Sequence, residues 1–215
     1  MNAMRPAAAT LLILALAVPA HAGTHKLEAA PKTYTLDGAS KLLVAFSVGQ
    51  LSIEGDDGRD VRVTVQVRCR RGSLEDCQDW ASRVSIDHDV SDGRLKLKFE
   101  GIPKSDSHKM EVTALLLVPR ALATRVEMGV GTLDVRDMTG PLNLDLGVGE
   151  MAVRLAAEHY AEAKATAGVG DASIDAPGKT NDSGFIGRTA RWSAGAGPHT
   201  VDAHVGVGDA SVRLK

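Results

Sequence analysis

Hydrophobic and polar residues alternate with a period of two along much of this 215-residue chain, and the alternation is broken at recurring glycine-valine-glycine triplets. After each triplet the hydrophobic positions resume three residues on instead of two. A period of two buries one face of a β-strand, and a repeated three-residue step indicates a built-in bend. The pattern predicts pairs of short strands joined by corners. Its hydrophobic positions are Val44, Phe46, Val48, Leu51 and Ile53; Val126, Met128, Val130, Leu133 and Val135; Leu142, Leu144, Leu146, Val148, Met151, Val153 and Leu155; Ala163, Ala165, Ala167, Val169, Ala172, Ile174 and Ala176; and Val201, Ala203, Val205, Val207, Ala210, Val212 and Leu214.

The spacing of the corners predicts the fold. The triplets begin at positions 129, 147, 168 and 206, at intervals of 18, 21 and 38. The last interval is close to two repeats, which predicts one irregular copy between 178 and 197. A two-strand repeat of this length is typical of a solenoid. We therefore expect a mostly-β protein, a β-solenoid or β-helix whose copies stack in chain order about 4.8 Å apart, with one short helix near its N-terminal end.

The corner glycines are predicted to be structural, because a sharp corner needs backbone angles and close approaches that side chains forbid. They are Gly49, Gly129, Gly131, Gly147, Gly149, Gly168, Gly170, Gly206 and Gly208. The valines between them are expected to point inward and hold the corner; they are Val130, Val148, Val169 and Val207. Alanines at alternate positions from 161 to 167 predict a narrow interior.

The last predicted strand, Asp209 to Lys215, is expected to form an open edge of the solenoid. Such an edge would pair with a second copy or a partner strand. Arg213 and Lys215 could equally protect the edge from pairing.

The first half of the chain departs from the repeat. A strand is predicted from Val61 to Cys69 and a helix from about Ser73 to Arg83, with Ser73 as its N-cap and Asp76 three residues on. The two cysteines, Cys69 and Cys77, are expected to form a disulfide between this strand and this helix. A redox or metal-binding pair is the alternative. Asp92-Gly93 predicts a hairpin turn.

Residues 1–22 resemble a signal peptide: Arg5 precedes a short apolar run, and Ala20-His21-Ala22 has the form of a cleavage site. A retained N-terminal anchor is the alternative.

Removing these residues leaves a mature chain of 193 residues, interpreted as one domain over 23–215, with 24 basic and 27 acidic residues. The balance gives no reason to expect binding to nucleic acid or anionic lipid. We expect an exported protein of the periplasm, envelope or cell exterior, with no transmembrane segment in the mature chain.

Two stretches carry a resemblance to a known family. Leu115 to Arg120 is a strand ending in Val-Pro, and Val126 to Val135 is a glycine corner with a short strand on either side. The near-identical stretches 168–173 and 206–211 repeat the corner. The chain resembles, over about residues 40–215, the adhesin-like family of bacterial β-solenoid envelope domains, whose function is unknown. The resemblance implies surface interaction and supplies no catalytic residues; the helix at 73–83 departs from the family pattern.

The sequence offers no clear catalytic or cofactor site. The glycine triplets lack the third glycine and the following helix of a nucleotide-binding loop. Glu150, Asp171 and Asp209 could form an acidic ladder that binds calcium weakly, although carboxylates alone rarely complete a calcium shell. His88, between Asp87 and Asp89, is expected to be partly buried rather than a metal ligand. We therefore predict no catalytic, cofactor-binding or metal residues.

Three functions are compatible with these sequence features. The first is a noncatalytic, adhesin-like envelope or surface module with a protein or surface-glycan partner. The second is a carbohydrate-binding or carbohydrate-active β-helix, which carboxylates around a groove would favour. The third is a calcium-stabilised structural protein. The irregular copy around Asn181 to Pro198 and the last strand are where the repeat stops explaining the residues.

Overall fold

A computed structural model describes residues 24–70, 72–102, 110–184, 187–193 and 195–215. The signal-like residues 1–22 and the polar loop 103–108 lie outside these ranges. The described residues form one α-helix, α1 (Leu74–Arg83), and a 3₁₀ turn at Ala157–His159. The strands are β1 (His25–Glu28), β2 (Lys32–Tyr34), β3 (Lys41–Asp56), β4 (Val61–Cys69), β5 (Ser85–Ser91), β6 (Arg94–Glu100), β7 (Met110–Pro119), β8 (Ala123–Arg136), β9 (Leu142–Leu155), β10 (Tyr160–Val169), β11 (Ala172–Asp175), β12 (Thr180–Ser183), β13 (Arg188–Trp192) and β14 (His199–Leu214). The protein is mostly β, as predicted.

All of these strands belong to one open sheet with a parallel centre. Strands β3, β8, β9, β14 and β10 lie side by side in that order, each parallel to the next. Strand β11 continues the row of β10 beyond the corner and pairs with β14. The register shifts once, at the start of the β10–β14 pair between Tyr160 and Glu162, and is constant through the corner of every pair, so the corner of one strand lies beside the corner of the next.

The sheet must bend at these corners. Strand β9 pairs in register with β8 from Thr124↔Leu142 to Arg136↔Arg154, so the chain returns from the end of β8 to its beginning within residues 137–141. A straight strand of 14 residues would be about 46 Å long, whereas five linking residues reach only about 20 Å. The two halves of each long strand therefore fold toward each other and enclose the core.

The core is built from the inward rows on the two sides of the corner. Phe46, Met128, Leu146, Val205 and Ala167 form the row that precedes the corner, and Leu51, Leu133, Met151, Ala210 and Ala172 form the row that follows it; all are buried. The side chains become smaller toward β10 and β11. At that end Tyr160 and Trp192 fill the space, and Tyr160 donates its hydroxyl hydrogen toward the carbonyl oxygens of Met138 (3.0 Å) and Gly140 (3.1 Å).

The first half of the chain covers the other end of the parallel centre. Before the corner β3 pairs with β6, and after it with β7. Strand β5 forms the predicted hairpin with β6 through a turn at Asp92 and Gly93, both with positive φ. Strand β4 pairs with β7, and β1 and β2 pair with β4.

Helix α1 and its disulfide agree with the prediction. Ser73 caps the helix, and Asp76 completes a capping box by accepting from the Ser73 backbone N–H at 2.8 Å. These hydrogen bonds hold the pKa of Asp76 below its usual value. Cys69 and Cys77 are bonded, with their Cα atoms 5.8 Å apart, and both are fully buried.

The prediction of an open C-terminal edge is wrong. Strand β14 lies in the middle of the parallel centre, with β9 on one side and β10 and β11 on the other. Its backbone groups are therefore paired on both sides, and self-association through residues 209–215 has no free edge to use. The expected stacking in chain order fails for the same reason, because β14 separates β9 from β10.

The irregular copy lies in the chain between β11 and the inserted strand β14. Residues between β11 and β14 form the antiparallel strands β12 and β13, and β13 pairs with β10. Trp192 is buried at the end of the core, and its indole N–H donates to the carbonyl oxygen of Pro177 at 2.8 Å. The segment thus covers the core beside β10 and carries the chain back into the sheet.

Candidate functional site: the glycine corner

The outer surface of the corner is bare backbone because two columns of glycine cross the sheet there. In the column after the valines, Gly131, Gly149 and Gly208 have φ of 136°, 139° and 127°. A Cβ on Gly149 would lie 1.8 Å from the carbonyl oxygen of Gly131. In the column before the valines the φ angles are ordinary, but a Cβ on Gly147 would lie 2.6 Å from the carbonyl oxygen of Gly129. Adjacent strands approach so closely that neither Gly147 nor Gly149 has room for a side chain. On β3 the first column carries Ser47 instead of a glycine.

Between the two columns runs a line of exposed valines, which we call the valine ridge. It consists of Val48, Val130, Val148, Val207 and Val169 in spatial order, paired in register across five strands. The exposed fractions of Val130, Val148, Val207 and Val169 are 48, 45, 48 and 53%, and Val48 is half-buried.

The expectation that these valines point inward is therefore wrong. They are in phase with the core residues, but the buried rows at Met128 and Leu133 already close the interior behind the corner. A valine at the tip of the bend then has no space inside and projects outward. The sequence signal for this placement is the valine's position between two glycines, which marks the tip.

A groove of about 430 Å³ runs along one side of the ridge, and we call it the corner groove. Its floor includes Ser47, Gly129, Gly147 and Gly206, and its wall includes Glu127, Asp145, His204 and Lys98. Arg125 pairs with Glu127 at 2.9 Å and with Asp145 at 3.4 Å. Lys98 pairs with Glu100 at 2.7 Å, which raises the pKa of the lysine.

On the other side of the ridge lies a carboxylate row of Glu150, Asp209 and Asp171. Glu150 and Asp209 are in register on neighbouring strands, as the acidic-ladder prediction required. Asp209 accepts from the Asp171 backbone N–H at 3.0 Å, and Arg188 pairs with Asp171 at 3.2 Å. In the described ranges no group of three or more His, Cys, Asp and Glu side chains is arranged to hold a metal ion, and Asp209 and Asp171 make these local contacts instead.

The structure disagrees with the prediction for His88. Its side chain is exposed on β5, and its ring meets that of Tyr34 edge-on, with centroids 5.1 Å apart. Ile86 is the one residue of β5 that packs against the core, whereas His88 and Val90, which lie on the same face of the strand, are exposed. Nothing brings Asp87 and Asp89 together with His88, since neighbours in a strand point to opposite faces.

Among the known proteins compared with this chain, similarity was found to solved structures but not to family models or curated proteins. No family model matches the sequence, and no curated protein matches it. A putative cell adhesion protein from Clostridium sporogenes is 18% identical, aligned over 90% of this chain and 100% of its own, with a TM-score of 0.55. A putative adhesin from Parabacteroides distasonis is 15% identical over 89% of this chain and 71% of its own, with a TM-score of 0.31. A putative adhesin from Bacteroides fragilis is 13% identical over 90% and 99%, with a TM-score of 0.29.

The Clostridium protein shares the fold of this chain. The other two similarities are too weak to carry an argument. None of the helices in the described part of the chain is long and apolar enough to cross a membrane.

Proposed function

We propose that this chain is an exported, noncatalytic, adhesin-like protein of the envelope or cell surface, and that its bent sheet is a β-solenoid that presents the valine ridge to other molecules. The valine ridge is the observation that carries this proposal. Among the described residues, six large hydrophobic side chains are exposed, and four of them are corner valines. Concentration of exposed apolar residues in one place is typical of an interaction site.

Three further features support the proposal. The fold is that of a protein described as a putative cell adhesion protein. Residues 1–22 have the pattern of an export signal. The buried disulfide suits an oxidising compartment outside the cytosol.

Site-specific crosslinking in cells tests the proposal. A photoreactive amino acid replaces Val148 on the ridge, and a matched variant carries it at Val90, an exposed valine on β5 away from the corner. We expect the protein in the envelope or external fraction, with crosslinked products at position 148 and few at 90. Cytosolic location, or equal crosslinking at both positions, would contradict the proposal.

The corner groove favours a second candidate function, carbohydrate binding. Two carboxylates, Glu127 and Asp145, and His204 line the corner groove, and carboxylates can accept hydrogen bonds from sugar hydroxyls. The test is calorimetric titration of soluble envelope polysaccharides into the protein and into an E127Q/D145N variant. Binding that the double substitution abolishes would favour this candidate, and release of reducing ends would extend it to catalysis.

A further inference from the structure

We infer that the valine ridge binds an extended, cationic peptide segment in which apolar and basic side chains alternate. This inference rests on the proposed function and specifies the partner of the same surface. It follows from the shape, the backbone exposure and the charge of the corner.

The shape of the ridge fits a short extended chain. Five valines in register on adjacent strands span about 19 Å at about 4.8 Å per strand. An extended peptide rises about 3.3 Å per residue, so about six residues cover this length. Apolar side chains on one face of the peptide would lie against the valine methyl groups.

The size of the ridge argues against a second copy of the protein as the partner. A standard protein–protein interface buries about 800 Å² on each side. A single line of valines, each about half exposed, offers far less apolar area than that. A short segment needs only a narrow apolar strip.

The glycine columns allow close approach. On both sides of the ridge the surface is backbone at every glycine, where the neighbouring strands leave no room for a Cβ, and Ser47 on β3 adds one small side chain at the end of the first column. A peptide can therefore settle against the ridge without displacing side chains, and its own side chains can reach past the glycines to the rows beyond them.

Those rows are acidic. Among the described residues, the charged side chains flanking the ridge are seven carboxylates and four cations, a net charge of −3. They are Glu100, Glu111, Glu127, Asp145, Glu150, Asp171 and Asp209, and Arg70, Lys98, Arg125 and Arg188. Glu150 and Asp209 have no cation as an ion-pair partner among the described residues. A field of this sign attracts basic groups and repels acidic peptides and anionic lipid surfaces.

The experiment measures binding of defined peptides to the full-length mature protein by fluorescence anisotropy. The probe is an eight-residue peptide of alternating Lys and Leu, and the comparison peptides alternate Glu and Leu or Lys and Ser. We expect the Lys-Leu peptide to bind in preference to both others, and more weakly as salt is raised. Equal binding of the Glu-Leu peptide would overturn the inference.

Two sets of variants locate the site. The triple variant V130S/V148S/V207S should weaken binding on the order of tenfold or more, because three apolar contacts are lost, whereas V90S on β5 should leave it unchanged. The double variant E150Q/D209N should weaken binding severalfold and flatten the salt dependence, whereas E75Q on α1 should not. Equal affinity for V90S and the triple variant would place the binding elsewhere and sink the inference.

The remaining outcomes separate this inference from the proposed function. Ridge-dependent self-association in sedimentation, or ridge-dependent binding to phosphatidylcholine vesicles without peptide binding, would replace the peptide with another partner. Crosslinks at position 148 in cells without affinity for the Lys-Leu peptide would leave the proposed function standing and overturn the cationic partner. Binding of the Lys-Leu peptide without crosslinks in the envelope would leave the cationic partner standing and overturn the proposed function.

Discussion

At the scale of single residues, the corner depends on glycine for two separate reasons. Gly149 has a φ of 139°, which side chains disfavour, and it also lies against the carbonyl oxygen of Gly131. Gly147 has no unusual φ and is required by the close approach alone. The sequence predicted both reasons for the corner as a whole. It could not assign them to individual glycines, because the distance between strands appears only when the copies lie side by side.

Replacement of Gly149 by alanine should destabilise the protein strongly. The new Cβ would lie 1.8 Å from a backbone oxygen, so two strands must separate in addition to the cost of a positive φ. We expect a loss of at least about 3 kcal/mol in the free energy of unfolding, measured in urea. The control is Gly93→Ala, which also has a positive φ but has no atom within 4 Å of the added Cβ, and which should cost about 1–2 kcal/mol. Equal losses would show that the close approach contributes nothing.

At the scale of elements, links between strands decide what the sequence can predict. The five residues between β8 and β9 are too few to reach any but a neighbouring strand, so that pairing follows from the repeat. The stretches 168–173 and 206–211 have the same six residues, and either could pair with β9. The long link through β12 and β13 leaves β14 free to insert between β9 and β10. No local pattern in the sequence predicts that β14, and not β10, pairs with β9.

Helix α1 lies outside the repeat and depends on its disulfide. The bond joins Cys77 to Cys69 in β4 across a separation of eight residues. The double variant C69A/C77A should lose about 2–3 kcal/mol in the free energy of unfolding, because the unfolded chain is no longer constrained. Dithiothreitol should lower the stability of the wild type by a similar amount and leave the variant unchanged. A reductant-sensitive variant, or a wild type indifferent to reductant, would contradict this.

At the scale of the whole molecule, the last described strand, β14, lies at the centre of the sheet between β9 and β10. Strands β9 and β10 are joined by a short link with a 3₁₀ turn, yet they lie two strand spacings apart, about 9.6 Å. The space between them is filled by β14, which follows β12 and β13 in the chain. Most pairings are therefore distant in sequence, which favours slow folding.

Removal of residues 209–215 should consequently prevent folding rather than release an interaction edge. The second half of β14 pairs with β9 and β11 at once, and its inward residues Ala210, Val212 and Leu214 are buried between them. Without it, β11 loses the strand it pairs with, β9 keeps β8 on one side alone, and the core opens to water along one face. We expect the truncated protein to show no cooperative thermal transition by circular dichroism. Removal of 24–28 is the matched control, because β1 pairs only with β4 at the margin of the sheet and its loss should leave a cooperative transition. A truncated protein lacking 209–215 that melts like the wild type would mean that β14 does not hold the centre of the sheet.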